Sequence, residues 1–239
     1  PNPKPQTPNP KPRFEIVCIK PYVSNSLPSF LSSIMRLKKL NCLPHLNLRS
    51  VLNINYPALH NLGIRVLIFD KDDTIGIYRG EKLHHSIPAD RFIPSLVPFA
   101  PHAYIVSNSS KMFKMNYGEL NDLAESKNLL RRLLTKTKKP YNFEEVREQL
   151  NALLGREVQR GEVAVVGDRL LTDGLFAAQL DALFIRVENF PESKCGFKIR
   201  AMMILEQIFM KVIGKAKPNS LTRGHLNEKP LTEELISHS

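Results

Sequence analysis

The stretch RVLIFDKDDTIG (residues 65–76) decides how the whole chain is read. Val66, Leu67, Ile68 and Phe69 are consecutive apolar residues with no polar alternation. That is the pattern of a parallel strand covered on both faces. Asp70 and Asp72 come next at its carboxyl end, with Thr74 two positions further on. Open α/β sheets bind their ligands at that end of their strands. Two carboxylates placed there are costly unless a cation or a substrate uses them. Asp-x-Asp-x-Thr is weak evidence alone, so its weight depends on the other motifs of the chain.

Three such pieces lie downstream, in order. AYIVSNSSK (103–111) is a second apolar run, ending in Ser107 and Asn108. TKKP (137–140) places Lys139 directly before Pro140. EVAVVGDRLLTD (162–173) is a third apolar run, ending in Gly167 and Asp168, with Asp173 five residues on. Together the four pieces resemble the signature of the haloacid dehalogenase (HAD) superfamily of phosphohydrolases, over about residues 62–190.

The chemistry also stands on the residues. Hydrolysis of a phosphate ester needs a nucleophile, a proton donor for the leaving oxygen, and positive charge on the transferring group. Asp70 suits the nucleophile and forms an aspartyl-phosphate. Asp72 suits the acid, then the base toward water. A divalent cation must separate Asp70 from the phosphate, and Mg²⁺, with its oxygen ligands, fits. Its expected ligands are the Asp70 and Asp168 carboxylates and the Asp72 carbonyl. Lys139 neutralises charge on the nucleophile and the phosphoryl group. Thr74, Ser107 and Asn108, with amides at a helix start just beyond, hold phosphate oxygens. The family pattern implies that Asp173 orients Lys139 or the water around the metal.

Plainer roles stand beside these. Ser107 and Asp173 both suit helix caps. Lys136 and Lys138 compete with Lys139, which the Lys-Pro dipeptide of the family pattern favours. Lys71 reads as a solvated surface lysine, with contact to a second anionic group of the substrate as the alternative.

Thr74 and Ser107 are 33 positions apart, and Ser107 and Lys139 are 32 apart. Each gap holds a helix and its turns, whereas cap domains of the superfamily are far longer. The chain therefore reads as a capless core with an open site. Such a site suits a substrate that cannot be enclosed: a protein, a nucleic acid end, or a lipid headgroup in a membrane. The expected fold is α/β, a Rossmann-like three-layer sandwich on a parallel sheet. Strands are expected near 64–69, 103–107, 162–167 and 183–187. Helices are expected near 110–134, 142–154 (ending at Gly155) and 172–180.

The 239 residues carry 34 Lys and Arg against 23 Asp and Glu, a net charge of +11. That balance favours an anionic partner. No apolar run reaches spanning length. Cys18, Cys42 and Cys195 fit neither a zinc site nor a disulfide framework. Their spacing to arginine also excludes a cysteine-dependent phosphatase.

Residues 1–26 open with six prolines in PNPKPQTPNPKP and read as disordered. A chain starting at Pro1 reads as a fragment or a processed product. Residues 27–60 read as an N-terminal membrane-contact segment. In LPSFLSSIMRLKKL (27–40), Leu27, Phe30, Leu31, Ile34 and Leu37 fall at helical spacing beside Arg36, Lys38 and Lys39. That profile suits a helix lying on an anionic bilayer, or one packed on the core. Residues 61–195 are the expected phosphatase core. Residues 196–239 are a C-terminal helix rich in Met and Ile, then a polar tail.

The segment from Asn41 to Ile75, with TKKP and VVGDRLLTD, resembles the mitochondrial phosphatidylglycerophosphate phosphatases and their small bacterial relatives. The resemblance implies dephosphorylation of phosphatidylglycerophosphate to phosphatidylglycerol on the way to cardiolipin. It implies a peripheral enzyme on the matrix side of the mitochondrial inner membrane. The partner expected is a phospholipid at an anionic surface, not nucleic acid, and a homo-oligomer is compatible. Asp73 departs from the group, where Asn is common. The alternatives are the same chemistry on a phosphoprotein or nucleic acid end, or a basic binding module with a relic site.

Overall fold

The computed structural model describes residues 42–77, 83–108, 129–188, 190 and 204–208. They build one six-stranded sheet: β1 (Leu46–Leu48), β2 (Val66–Phe69), β3 (Ala103–Ile105), β4 (Arg131–Arg132), β5 (Val163–Gly167) and β6 (Leu183–Val187). Every pairing is parallel, and the order across the sheet is β1-β6-β5-β2-β3-β4. The four strands expected from apolar runs are all present, and the α/β sandwich is the architecture found.

Side-chain alternation explains the three layers. Along β2, Leu67 and Phe69 join one buried cluster while Val66 and Ile68 join the other. β5 divides likewise, with Ala164 and Val166 on the first side and Val163 and Val165 on the second. The first face is covered by α1 (Tyr56–Asn61) and α2 (Ala89–Ser95) through Leu59, Phe92 and Ile93. The second is covered by α3 (Phe143–Leu154) and α4 (Leu175–Gln179) through Val146, Leu150 and Phe176. Gly155 ends α3 in the left-handed region at φ +67°, as its position suggested.

Three expectations change. Arg131–Arg132, inside the helix expected over 110–134, forms β4. NLLRRLL spaces its leucines like a helix, but pairing with Tyr104 and Ile105 prevails, and Leu129, Leu130 and Leu133 bury around the strand. The remainder of that expected helix, 109–128, lies outside the described residues. Residues 42–60, expected to contact membrane, belong to the core. β1 pairs with β6, and Leu46, Leu48, Val51, Ile54, Tyr56 and Leu59 are buried there. The helix expected at 172–180 starts as a π-helical turn, Leu170–Gly174, before α4. Segments 1–41 and 209–239, including the amphipathic stretch 27–40, lie outside the described residues. No described helix is long and apolar enough to cross a membrane.

The topology sets the site. From β2 the chain moves to β3 and β4 on one side, then returns to β5 and β6 on the other. Such a reversal opens a crevice at the carboxyl ends of the strands flanking it. The first gap between motifs holds a bridge from Gly76 to Leu83, α2 and a short 3-10 turn, with no inserted domain among the described residues.

Candidate functional site

Asp70, Ser107 and Asp168 leave the carboxyl ends of three adjacent strands, β2, β3 and β5. All three are buried, together with Thr74, Lys139 and Asp173. The Asp70 amide donates to Val166 O at 2.8 Å, fastening the end of β2 to β5. The chain then turns tightly, and the Lys71 carbonyl accepts from the amides of Ile75 (3.2 Å) and Gly76 (2.8 Å). Asp73 carries φ +62° in this turn. Asp and Asn tolerate that left-handed conformation better than other non-glycine side chains, so the aspartate suits this turn position.

Lys139 is the centre of the charge arrangement. Its Nζ donates to Asp70 Oδ1 at 2.7 Å and to Asp173 Oδ1 at 2.5 Å. Lys136 and Lys138 are exposed, so the three lysines that sequence leaves as rivals are separated by burial. The Asn108 side chain holds the Lys139 backbone from both sides. Its Oδ1 accepts from Lys139 N at 2.6 Å, and its Nδ2 donates to Lys139 O at 3.2 Å. Asn108, expected among the phosphate ligands, thus has its carboxamide committed to positioning Lys139.

Asp173 takes Lys139 with one oxygen and accepts from the Arg169 amide with the other, at 3.2 Å. The π-turn brings it back over Gly167, where a Cβ would stand 2.5 Å from Asp173 Cγ. Only glycine leaves room there. Asp173 is thereby held against the Lys139 ammonium, an arrangement that suits one of the two roles the family pattern implies for it.

Asp70, Asp168 and Asp173 have carboxylate oxygens all within 4.8 Å of one another, an arrangement able to hold a metal ion. Thr74 Oγ1 reaches Asp168 Oδ1 in a long contact of 3.5 Å. Two of the three buried carboxylates, Asp70 and Asp173, pair with the single ammonium, and the acidities respond. Burial pushes the Asp70 carboxyl up to about 7, against the pull of Lys139 and with further upward push from Asp173. Asp168 is also raised well above the usual carboxylate range by burial, then by Asp173, Asp70 and Asp73. Burial alone would lower the Lys139 ammonium, but Asp173 and Asp70 outweigh it and raise it. The donor set is all oxygen and carries excess negative charge, which fits a hard divalent cation.

The side chain of Asp72 lies in a different environment. Its Oδ1 accepts from Lys71 Nζ at 2.6 Å, and it is partly exposed while the Lys71 side chain is fully buried. Lys71 is thus not the solvated surface lysine expected; it pairs with the candidate acid. Arg186 was also missed: its Nε donates to the Asp168 carbonyl at 3.1 Å from the neighbouring strand. Glu206 was missed too. It is buried, and its carboxylate accepts from the amides of Leu170 (3.2 Å) and Leu171 (3.0 Å), tying residues 204–208 to the π-turn. It is the single acid in the apolar and basic stretch 195–215, which was the available signal.

No curated protein matches the chain, and no solved structure matches it. A family model described as mitochondrial PGP phosphatase matches residues 29–189, about two thirds of the chain, and spans β1 to β6 with every residue of this site. The chain belongs to the mitochondrial PGP phosphatase family, phosphoric monoester hydrolases in whose matched region the carboxylate cluster around Lys139 lies.

Proposed function

We propose that the protein hydrolyses phosphatidylglycerophosphate to phosphatidylglycerol in cardiolipin biosynthesis, through an aspartyl-phosphate on Asp70. The observation that carries this reading is the cluster Asp70–Lys139–Asp173 beside Asp168, at the reversal point of the sheet, within the matched family region.

The Asp70 carboxylate attacks phosphorus. Its oxygen–phosphorus bond forms as the bond to the glycerol oxygen breaks, and that oxygen takes a proton from Asp72. In the second half, Asp72 takes a proton from water as the water oxygen attacks phosphorus, and Asp70 is released. Lys139 offsets charge on Asp70 and on the phosphoryl oxygens, and the Ser107 hydroxyl donates to those oxygens. Asp173 and Asn108 keep the ammonium aimed at the reacting group. Mg²⁺ would be held by the Asp70 and Asp168 carboxylates with the Asp72 carbonyl, and would supply charge neutralisation and polarisation of the phosphate. We place the enzyme peripherally on the matrix face of the mitochondrial inner membrane, with an anionic phospholipid surface as its partner.

The test is phosphate release from phosphatidylglycerophosphate in mixed micelles, with Mg²⁺ and with EDTA, beside a phosphopeptide and a 3′-phosphorylated DNA. The lipid should be preferred by about tenfold or more, EDTA should abolish turnover, and Asp70→Asn should be inactive. Preference for the peptide or the DNA end would refute the lipid assignment.

A further inference from the structure

The turn between β4 and α3, residues 133–142, carries Lys139 inward and five other side chains outward, Thr137 among them. Leu134 is 50% exposed and Tyr141 60% exposed, and Lys136 and Lys138 are exposed between them. All lie at the carboxyl-end rim of the parallel sheet, where Asp70 and Asp168 emerge. Ile77, three residues past Thr74 and 47% exposed, adds an apolar side chain beside the same rim.

Leu134 and Tyr141 flank Lys139 in sequence and, with Lys136 and Lys138, make a mixed apolar and cationic surface at the rim. The turn is also firmly held. Glu145 accepts from the Lys136 amide with both oxygens, at 2.9 and 3.0 Å. Gln149 donates to the Leu134 carbonyl at 2.8 Å, and Asn142 to Thr135 Oγ1 at 3.0 Å. Backbone order with apolar and cationic side chains outward is a surface prepared before contact, so little ordering entropy is lost on docking.

We propose that the 134–141 turn is the membrane-docking surface of this enzyme: Leu134 and Tyr141 enter the interfacial layer of an anionic bilayer while Lys136 and Lys138 meet its phosphates. This rests on the lipid-substrate reading and deepens it. Interfacial Tyr and adjoining lysines are the chemistry an anionic headgroup layer takes. Docking here aims the Asp70 crevice at the bilayer, so a phosphate in a lipid headgroup reaches it without the lipid leaving the membrane.

The chain contains no tryptophan, which gives a clean probe. Tyr141→Trp should show a blue-shifted emission with vesicles of phosphatidylglycerol and phosphatidylcholine, and none with phosphatidylcholine alone. Val97→Trp is the control, at an exposed position before β3 at the opposite rim, and should not shift. An unshifted Tyr141→Trp variant on vesicles that carry the protein in flotation overturns the proposal, as does an equal shift at position 97. A blue shift that grows with protein concentration without vesicles also overturns it, showing a second copy as the occupant. Lys136→Ala with Lys138→Ala should weaken partitioning to anionic vesicles by roughly 30-fold. The same double variant should hydrolyse p-nitrophenyl phosphate at the wild-type rate; an equal fall in both readouts would place these lysines in the site and overturn docking. Failure of the lipid-substrate reading registers separately, as wild-type turnover of the soluble ester with none of phosphatidylglycerophosphate.

Discussion

Replacing Lys139 by Met tests the charge arrangement directly. Met keeps most of the side-chain volume, so the loss is electrostatic and not a cavity. In the wild type the ammonium lies 2.7 Å from Asp70 and 2.5 Å from Asp173, with Asp168 in the same cluster. At an effective dielectric near 20, one such contact is worth about 6 kcal/mol of attraction. Desolvation of the ammonium and carboxylates offsets much of that. What remains after removing one partner of a buried ion pair is a loss of about 3–5 kcal/mol, because uncompensated charge is left inside.

The loss should depend on pH, and the sign is fixed. Without Lys139, the main influence holding Asp70 down is gone, so Asp70 rises beyond about 7. At pH 5 the folded variant keeps that carboxyl neutral and escapes part of the penalty. At pH 8 the protein must ionise it beside Asp168 and Asp173 or bind a proton at a cost. Urea unfolding of metal-free wild type and Lys139→Met at pH 5 and pH 8 measures this. The difference between the two proteins should be about 3–5 kcal/mol at pH 8 and smaller at pH 5. A difference below about 1 kcal/mol at both values would show that the three carboxylates do not share a low-dielectric site. Turnover should fall by about 10²–10³, as for other losses of preorganised charge at a reacting group.

Two further outcomes rest on the same geometry. The metal-free wild type should lose stability as pH rises from about 4 to about 7. Asp70 ionises near 3.8 in the unfolded chain and near 7 in the folded one, so the folded state holds the extra proton across that window. The full effect is about 4 kcal/mol. Lys139, raised from an already high value, contributes equally throughout. Mg²⁺ should restore the melting temperature at pH 8, and a flat profile between pH 5 and 8 in EDTA would contradict the raised carboxyl. Gly167→Ala should cut turnover by about tenfold or more and lower stability by about 1–3 kcal/mol, since its Cβ would meet Asp173 Cγ at 2.5 Å. Full turnover in that variant would mean Asp173 need not hold Lys139.

The sequence revealed elements where one physical signal dominates. β2 and β5 are unbroken apolar runs because the sheet buries both their faces, and the acids at their ends could be placed on that basis. β1 and β4 left no such trace. Leu46–Leu48 has only three residues and pairs with a strand near position 185, and the two residues of β4 are arginines. Their strand state comes from a neighbour's open edge, which no local pattern records. Within the site, composition could not separate Lys136, Lys138 and Lys139, which are chemically identical; only the Lys-Pro pattern favoured the third. Nor could it show that Lys71 points inward, since a lysine in a polar turn ordinarily faces water.

That inward lysine sets the two acids of the opening motif apart. Asp70 and Asp72 are separated by a single residue in sequence, yet each takes its own ammonium, Lys139 for one and Lys71 for the other. Burial first, and Asp173 after it, raise the Asp70 carboxyl to about 7, in the place where a cation would draw it back to the ionised form. Asp72 is partly exposed, and its partner Lys71 is held by its own residue's carbonyl, which anchors the turn. A nucleophile must be ionised and face phosphorus; an acid–base group must face the departing oxygen and exchange protons with water. Pairs of carboxylates whose surroundings differ in this way are how a single site divides such roles. The alternation of the backbone alone would not achieve that division. What separates them is the partner each takes, the buried Lys71 for the partly exposed Asp72 and the buried Lys139 for Asp70.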